Sequence, residues 1–504
     1  MDRLRQNTLK ILLSITALFS IFIAYAALPW PYTLSVDGVA VFWIPILPLA
    51  ITVIWLSMRK ISKLDEARTK KLVTAMISLA IFAQVIIAVT IHFDTNAYAP
   101  YDLSVIYQEA VDMIEQGTTK FVSTPLSPYY FQFYPHNANL TILLYWVFRI
   151  GALAGIERLD MLGEFLNVAA MLSCYISLYS IASHLYTRKK AAYATIFLLM
   201  NMSFYVFIPS YYTDIISIGF LSPSIAIAVN NHDKKGKKRI FLLFIAGALF
   251  TVALKIRITN IFVLLAAIAY YAITGDIKKY IRPASIWLTG VICMWVCANA
   301  IYSYHVPYDT SDTAFPVTHW LMMGSCEHNN CMFCDECVVF TIRQPTQAEK
   351  RSATWNKYVE NIKEHGVGGT AAMIAKKETI VWATGDPFMK DGLINVRGEP
   401  IMRDLLYGDS SAPIRAYLGA YNLILFTLIF AAALIEMKKP SENTIFAILL
   451  LGAALFYAFW EVNRRYSLSS LPYITLFTTP ALHRLAETTP KQALQKIAKT
   501  LKGA

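Results

Sequence analysis

The residues of this chain that could do chemistry are acids and arginines that interrupt long apolar runs. The polar segment from Ile91 to Asn137 carries five acids, and one of them, Asp102, follows an apolar run closely. Asp214 lies in a second, shorter interruption. A carboxylate in such a place can act as a general base and accept the proton of a hydroxyl group. Either acid could instead cap the helix that follows it, because carboxylates accept backbone N–H groups at helix N-termini.

Two short turns between apolar runs carry cations: Lys255 and Arg257 lie in one, and Arg464 and Arg465 lie in the other. The positive-inside rule disfavours cations at these turns, and an ionisable group close to a membrane is a functional candidate. Since a guanidinium group binds phosphate through two parallel hydrogen bonds, we expect a lipid phosphate as the ligand. The alternative is an anchor at headgroup level or an ion pair, such as Glu461 with Arg464.

An aromatic cluster that also carries hydrogen-bonding side chains ends the polar segment. Its candidate sugar- and phosphate-binding residues are Tyr130, Tyr134, His136 and Asn137. Tyrosines are common in the aromatic belt of a membrane interface, but a belt does not need the histidine and asparagine side chains. Acids, phosphate-compatible cations and aromatic rings together indicate group transfer from a phosphate-bearing lipid to a hydroxyl acceptor.

The composition indicates which elements must position these residues. Hydrophobic residues make up 56% of the 504, charged residues make up only 15%, and the mean hydropathy is +0.46. Such a chain is a polytopic membrane protein and not a soluble domain. The formal net charge of +12 requires no nucleic-acid partner, because basic residues next to spans face the anionic lipids of the cytoplasmic leaflet.

We expect an all-α fold with about twelve membrane spans and both termini in the cytoplasm. The predicted spans are Leu9–Ala27, Val39–Ser57, Lys71–Ile91, Leu162–His184, Ala191–Ile208, Asp214–Val229, Arg239–Leu254, Ile258–Ile273, Ser285–Tyr304, Ala412–Ile435, Thr444–Trp460 and Ser467–Leu482. A shorter run, Ala138–Ile150, has too few residues to cross about 30 Å of hydrocarbon, so we predict a helix that lies in the external interface. This topology places every basic cluster in the cytoplasm and the Asp102 loop outside.

The spans divide the chain into four parts. Residues 1–70 hold two additional N-terminal spans. Residues 71–304 form a transmembrane core whose catalytic external loop covers 92–161. Residues 305–411 form a small extracytoplasmic helical domain, and residues 412–504 hold the last spans and a basic cytoplasmic tail.

The external domain carries its own helix and cysteine patterns. Thr346 and Glu349 form a capping box, Gly366 ends the helix that it starts, and a second helix is predicted over Ala371–Ala383. The spacing C-x4-C-x2-C-x2-C is formed by Cys326, Cys331, Cys334 and Cys337. Because external thiols in an oxidising compartment usually pair, we predict two disulfides. The alternative is a zinc site completed by His319 or His328.

Seven short motifs keep their order along residues 70–485. They are Tyr101-Asp102, Glu109-Ala110, Tyr129-Tyr130, Tyr134–Asn137, Tyr212–Asp214, Pro316–Gly324 and Trp460–Tyr466. In order and topology they resemble the C-type glycosyltransferase superfold (GT-C), whose integral membrane enzymes use polyprenyl-phosphate sugars. The resemblance is closest to the bacterial family 39-like relatives of protein O-mannosyltransferases in Gram-positive cell envelopes. Two features depart from that pattern, namely the two spans before Lys71 and the cysteines, which stand where relatives often have a glycine-rich stretch.

The resemblance implies an inverting single displacement on the extracytoplasmic face of the cell membrane. The donor would be a polyprenyl-phosphate-linked sugar, and the acceptor a glycan, lipid or protein. Asp102 would be the general base, and Asp214 would orient the acceptor or a metal. The donor phosphate and sugar would be held by Lys255, Arg257, Arg464, Arg465, His136, Asn137, Tyr134 and Tyr130. No obligatory cofactor or metal is expected, since the opening loop has no Asp-x-Asp pair, although some members of the superfold use a divalent metal.

A transporter or flippase of lipid-linked sugars is the main alternative, because it would also have about twelve spans and charged residues near the membrane. Transporters bind at the bilayer midplane through broken helices and often carry internal repeats. The sequence indicates neither, and its polar residues gather on one face. A non-catalytic partner in polysaccharide assembly would keep the loops but would not need an acid beside cations.

Overall fold

The computed structural model describes residues 2–28, 39–94, 102–124, 128–387 and 396–488. Tyr101 of the first motif and the tail beyond Thr488 lie outside these ranges. The α-helices are α1 Asp2–Ala26, α2 Val39–Ser62, α3 Glu66–Thr90, α4 Asp102–Glu115, α5 Tyr130–Phe133, α6 Ala138–Leu153, α7 Leu159–Leu185, α8 Arg188–Leu199, α9 Ser203–Val206, α10 Thr213–Asn231, α11 Lys237–Ile256, α12 Ile261–Thr274, α13 Ile277–His305, α14 Val317–Met323, α15 Asp335–Ile342, α16 Gln347–Trp382, α17 Pro400–Tyr407, α18 Ala412–Glu436, α19 Thr444–Phe459, α20 Leu471–Phe477 and α21 Thr479–Glu487. Two short strands are β1 Ile91–Phe93 and β2 Val396–Gly398.

Eight helices in the described ranges are long and apolar enough to cross a membrane. They are α1, α2, α3, α7, α10, α11, α13 and α18. The all-α polytopic membrane class predicted from the sequence is therefore confirmed. Helices α12 and α19 are shorter apolar helices at two further predicted spans.

Two of the twelve predicted spans are not continuous helices. Over residues 191–208, helix α8 ends, and α9 begins after Asn201, whose Oδ1 accepts the N–H of Ser203 at 3.0 Å. Over residues 467–482, a 3₁₀ turn is followed by α20 and α21, each with a proline in its first turn. Proline donates no backbone N–H, and broken helices are tolerated at membrane depth where protein buries them. Every residue of α20 is buried, which satisfies that condition.

Helix α13 forms an outer wall of the helix bundle, since the buried residues along it are Pro283, Gly290 and His305. It packs against α11 at Gly247 and Gly290, where a Cβ atom on either glycine would lie 2.0 Å from a carbonyl oxygen of the facing helix. Small residues allow this close approach of helix backbones within membranes. The remaining apolar surface of α13 suits contact with lipid tails.

A separate hydrophobic core lies under the opening loop. Helices α4 and α6 pack on each other there, through residues that include Leu103, Ile106 and Leu140 together with Tyr211, two residues before α10. The helix predicted over 138–150 forms as α6 and extends to Leu153. Its position in the membrane interface stays a prediction. This packing fixes the start of α4, where Asp102 lies.

The predicted helices of the external domain are formed. Thr346 Oγ1 accepts the N–H of Glu349 at 3.3 Å, and Glu349 Oε2 accepts the N–H of Thr346 at 3.1 Å, so the capping box is confirmed. Gly366, with φ 61°, breaks α16 into two helical halves at the residue predicted to end the first helix. A positive φ is a conformation that glycine adopts without steric cost. The second half ends at Trp382, close to the predicted end at Ala383.

The opening loop and the external domain are joined by strand pairing that the sequence pattern did not indicate. Strands β1 and β2 pair antiparallel. Glu164 on α7 accepts the N–H of Phe93 at 3.0 Å and lies 2.9 Å from Nδ1 of His92. Arg397 of β2 lies 3.1 Å from Asp160, also on α7. These contacts fix both strands on one helix of the transmembrane core.

Candidate active site

Asp102 is the first residue of α4, and two tyrosines hold its carboxylate. Oδ1 accepts a hydrogen bond from the Tyr130 hydroxyl at 2.7 Å, and Oδ2 accepts one from the Tyr212 hydroxyl at 3.1 Å. Asn137 donates to the Tyr130 oxygen at 2.6 Å, and its Oδ1 lies 3.2 Å from the Tyr212 hydroxyl. The Asp102 side chain is 35% exposed. The carboxylate is thus oriented by its neighbours and still open to a substrate.

Asp214, near the start of α10, is fully buried between two arginines. Its Oδ1 lies 2.9 Å from Nη1 of Arg257, and its Oδ2 lies 2.7 Å from Nη1 of Arg465. The two guanidinium groups are themselves almost completely buried. Charges are removed from water at a high cost unless they are paired and hydrogen-bonded. One carboxylate between two guanidinium groups leaves a net charge of +1 on this trio.

Arg465 connects the two carboxylates. Its Nη1 contacts Asp214, and its Nη2 lies 3.9 Å from Oδ2 of Asp102. Its guanidinium group also lies over the ring of Tyr212, 4.6 Å from the centroid. We call Asp102, Asp214, Arg257 and Arg465 the acid–arginine site. With all four groups ionised its net charge is zero.

The turn after α19 directs Arg465 inward. Asn463 Oδ1 accepts the N–H of Arg465 at 3.2 Å and starts the 3₁₀ turn Arg464–Ser469. The N–H of Val462 donates to the carbonyl oxygen of Cys331 at 3.0 Å, which ties the turn to the external domain. Arg464 points the other way, with Nη1 4.0 Å from Oδ2 of Asp386. Neighbouring residues of this turn therefore face different surroundings.

Glu461 lies buried in the same turn and accepts a hydrogen bond from the Tyr466 hydroxyl at 3.0 Å. Burial raises the pKa of the Glu461 carboxyl to about 7, although the Tyr466 hydroxyl and the positive charge of Arg465 act in the opposite direction. Because its folded-state pKa lies above the ordinary value of 4.5, the folded protein holds this proton more tightly than the unfolded chain does. The stabilisation that comes from holding this proton is fully present below about pH 4.5 and is lost as the pH rises through about 7.

Glu461→Gln should therefore stabilise the protein more at pH 8 than at pH 5, because glutamine cannot ionise. The measurement is the difference in thermal unfolding midpoint between variant and wild type, in detergent, at each pH. The matched control is Glu364→Gln, which changes an exposed acid on α16 and should give the same difference at both pH values. A Glu461→Gln difference that is equal at pH 5 and pH 8 would contradict the assignment.

Tyr134 and His136 face aromatic rings of the external domain. The ring centroid of Trp320 lies 6.0 Å from that of Tyr134 and 6.3 Å from that of His136. Trp320 also stacks on Trp460, with 6.2 Å between centroids. These rings and Tyr130, which contacts both Tyr134 and Asp102, form an aromatic wall beside the carboxylate. Aromatic side chains supply large apolar faces, against which a sugar ring can stack.

Two predicted phosphate ligands lie away from the acid–arginine site. Lys255 donates to Oδ1 of Asn299 on α13 at 2.6 Å and lies 3.9 Å from the ring centroid of Trp295. It is two residues before Arg257, and side chains two positions apart at a helix end face opposite sides. Arg464 is directed to Asp386. The other predicted residues, Asp102, Asp214, Arg257, Arg465, Tyr130, Tyr134, His136 and Asn137, lie in the site or in the aromatic wall beside it.

The cysteine prediction needs correction. Cys326, Cys331, Cys334 and Cys337 are free thiols, so the two predicted disulfides are not formed in the structure. The sulfur atoms of Cys326, Cys334 and Cys337 lie within 4.8 Å of one another, and that group does not include Cys331. Two disulfides would require Cys331 to reach one of these three sulfurs. The ring of His319, which was one alternative zinc ligand, instead contacts Thr341 Oγ1 at 2.7 Å.

Three residues of the site were not predicted as functional. Tyr212 belongs to a motif that could be interpreted as a helix cap, yet its hydroxyl contacts Asp102. The sequence indicates Glu461 only as an ion-pair partner of Arg464, and Trp320 only as part of the Pro316–Gly324 motif. The sequence signal that could have identified them is their position in motifs that also carry predicted site residues or that belong to the family resemblance.

Residues 140–302 match the family described as dolichyl-phosphate-mannose-protein mannosyltransferase. The matched segment is roughly a third of the chain and contains Asp214 and Arg257, whereas Asp102 and Arg465 lie outside it. A comparison with curated proteins finds no match.

Two solved structures resemble the chain at low sequence identity. One is the archaeal oligosaccharyltransferase AglB from Archaeoglobus fulgidus, in complex with an inhibitory peptide and a dolichol-phosphate, with a TM-score of 0.38, 12% identity, and coverage of 86% of this chain and 54% of that chain. The other is ArnT from Cupriavidus metallidurans bound to undecaprenyl phosphate, with a TM-score of 0.38, 11% identity, and coverage of 82% and 77%. The chain thus spans about half the length of AglB.

Proposed function

We propose that this protein is a membrane glycosyltransferase of the GT-C type, which moves a sugar from a polyprenyl-phosphate donor to a cell-envelope acceptor on the extracytoplasmic face. The observation that carries the proposal is the bridge made by Arg465, whose guanidinium group contacts Asp214 and reaches Asp102. It joins a partly exposed carboxylate, suited to accept a proton, to buried cations suited to hold a phosphate. The family match over residues 140–302 supports the same class of reaction.

Asp102 is the proposed general base. The acceptor hydroxyl oxygen attacks the anomeric carbon, the bond from that carbon to the phosphate oxygen breaks, and the hydroxyl proton passes to the Asp102 carboxylate. A single displacement of this kind inverts the anomeric configuration. The hydrogen bonds from Tyr130 and Tyr212 use one lone pair on each carboxylate oxygen, and each oxygen has two. An acceptor site for the incoming proton therefore remains.

The charge of the acid–arginine site changes in the direction that the reaction needs. Before transfer the four ionised groups sum to zero, and protonation of Asp102 leaves a net charge of +1. The departing polyprenyl phosphate gains negative charge in the same step, so preorganised cations stabilise it as a leaving group. Arg257 and Arg465 supply this positive charge. We retain the prediction that no divalent metal is obligatory at this site, and a reaction assisted by a metal would belong to the same class of transfer.

The aromatic wall is the proposed surface for the sugar. Tyr130 and Tyr134 lie on the side of the carboxylate, and Trp320 closes the wall from the external domain. His136 and Asn137 add hydrogen-bonding groups close by. This arrangement leaves the acceptor, whether glycan, lipid or protein, to approach Asp102 on its exposed side.

Arg257→Ala should lower the rate of transfer by about 10²–10³, the usual effect of removing one preorganised donor to developing charge. Lys255→Ala is the matched control at the same turn, and it should leave the rate of transfer nearly unchanged, because the Lys255 ammonium contacts Asn299 and Trp295 and not the site. The measurement is the steady-state rate with saturating donor. Equal losses in the two variants would show that the turn acts as a whole and would remove Arg257 from its role.

The extracytoplasmic position of the site is testable through the basic clusters. Arg188 begins α8 and is more than half exposed. Compared with the parent chain, Arg188→Cys should gain one label from a membrane-impermeant maleimide only when the cytoplasmic face is opened. A cysteine at Arg464, in the turn of the site, should react from the outside. The reverse pattern would place the acid–arginine site in the cytoplasm.

The donor class can be tested directly with purified protein in lipid nanodiscs. The protein is incubated with polyprenyl-phosphate sugars, polyprenyl-diphosphate sugars and nucleotide sugars, together with crude cell-envelope acceptors. We expect consumption of at least one polyprenyl-phosphate sugar and of none of the nucleotide sugars. Consumption of a nucleotide sugar alone would contradict the proposed donor.

A further inference from the structure

Three cysteines of the external domain converge outside the acid–arginine site. The sulfur atoms of Cys326, Cys334 and Cys337 all lie within 4.8 Å of one another. Cys334 and Cys337 are buried, and Cys326 is partly buried. Cys334 immediately precedes α15, and Cys337 lies in its first turn. The start of this helix therefore fixes two of the three sulfurs.

Three sulfur atoms this close together suit a metal site better than a disulfide. A disulfide joins two sulfurs and would leave the third unused, whereas one common class of structural zinc site uses three thiolates and one histidine. Ligands about 2.3 Å from a tetrahedral zinc ion lie about 3.8 Å from one another, so the sulfurs need to approach by only about 1 Å. The two residues between Cys334 and Cys337 also match the ligand spacing common in such sites.

A candidate for the fourth ligand lines the same pocket, although its ring lies outside the group of three converging sulfurs. His328 and Glu336 line it together with the three cysteines, and Nε2 of His328 lies 3.7 Å from Oε1 of Glu336. A histidine that binds a metal commonly donates its other ring N–H to a carboxylate, which orients the ring. The side chain of His328 is exposed and lies in a short 3₁₀ turn, so it can rotate towards the sulfurs.

We propose that Cys326, Cys334 and Cys337 bind a structural zinc ion, with His328 as the fourth ligand. Cys331 has a separate role in this arrangement. It is held with φ 61°, and its carbonyl oxygen accepts the N–H of Val462 at 3.0 Å. The zinc ion would thus stiffen the loop that supports the turn on which Arg465 lies.

The proposal can be tested on the full chain, purified in detergent through a tag that contains no histidine. Metals are measured by inductively coupled plasma mass spectrometry after gel filtration, and cysteines are alkylated after denaturation in chelator and counted by intact mass. We expect one zinc ion per chain and alkylation of all seven cysteines. Cys326→Ser, Cys334→Ser and Cys337→Ser should each lose the zinc. His328→Asn removes a direct ligand and should weaken zinc retention against a competing chelator by at least the roughly 10–100-fold that is typical for loss of an outer-shell partner.

Cys331→Ala is the matched control, because it changes a buried thiol of the same loop that is not a proposed ligand. It should keep one zinc ion per chain. Zinc-free wild-type protein with five or three alkylated cysteines would show disulfides instead and would overturn the proposal. Zinc that persists in all three serine variants would be an adventitious ion only, with the same consequence. Stoichiometric binding of a different metal would overturn the assignment of zinc.

Discussion

Asp102→Asn should lower the rate of sugar transfer by about 10²–10⁴, the range expected for loss of a general base. Asparagine has nearly the same shape and keeps an acceptor oxygen for one of the two tyrosine hydroxyls, so the fold should be preserved. It cannot take up the acceptor proton at neutral pH. The donor phosphate is held by the arginines in this account, so the affinity for donor should change little. The measurement is the single-turnover rate of polyprenyl phosphate release, with donor affinity determined separately.

Asp112→Asn is the matched control for this experiment. Asp112 lies on the same helix, is nearly buried and accepts a hydrogen bond from Gln108 at 2.6 Å, but it has no place in the proposed site. It should retain most of the activity. Normal turnover in Asp102→Asn would remove Asp102 from its role, and equal losses in both variants would indicate damage to α4 and not to the chemistry.

Arg465→Ala should have the second large effect, on stability as well as on rate. It removes one of two guanidinium groups from the fully buried Asp214 and the cation nearest to Asp102. Leaving a buried charge without any partner costs about 3–5 kcal/mol, and the loss here should be smaller because Arg257 still pairs with Asp214. We therefore expect a clearly lower thermal unfolding midpoint and transfer close to background.

Arg465→Lys separates the two effects. Lysine keeps the charge but is a compact cation that cannot bridge two carboxylates in the planar geometry of a guanidinium group. This variant should fold with near-normal stability while both the donor affinity and the rate fall. Arg464→Ala is the matched control from the neighbouring residue, which is directed to Asp386. An Arg464→Ala variant that loses donor affinity as strongly as Arg465→Lys would defeat the assignment of Arg465 as the phosphate ligand.

The chemistry-bearing residues could be predicted from the sequence because each one violates a strong expectation for its place. Asp214 and Arg257 are charged residues beside membrane helices, and such residues are seldom there without a partner or a role. Their mutual contact could not be predicted, since it depends on how α10, α11 and the turn after α19 pack. The same limit explains why Lys255 and Arg464 are predicted as phosphate ligands although they lie away from the site. The composition shows that a short turn carries cations, but it does not show which of the side chains points inward.

The continuous helices were predictable and the broken ones were not. Hydropathy over a window marks α3 or α7 without difficulty, because length and apolar character suffice. It also predicts one continuous span over residues 467–482, where the structure instead has two short helices that each begin with a proline and are buried by neighbouring helices. The pairing of β1 with β2 could not be predicted from the sequence either, because a strand of three residues is too short to show an alternating pattern.

The most direct test of the central claim is a mass balance in proteoliposomes that contain a polyprenyl-phosphate sugar and an acceptor. Wild-type protein should convert the donor into free polyprenyl phosphate and an equal amount of glycosylated acceptor with inverted configuration at the anomeric carbon. Asp102→Asn should do neither, while Arg464→Ala should do both. Movement of intact donor across the bilayer by wild-type protein, with no polyprenyl phosphate released, would contradict the account and identify a transporter of lipid-linked sugars.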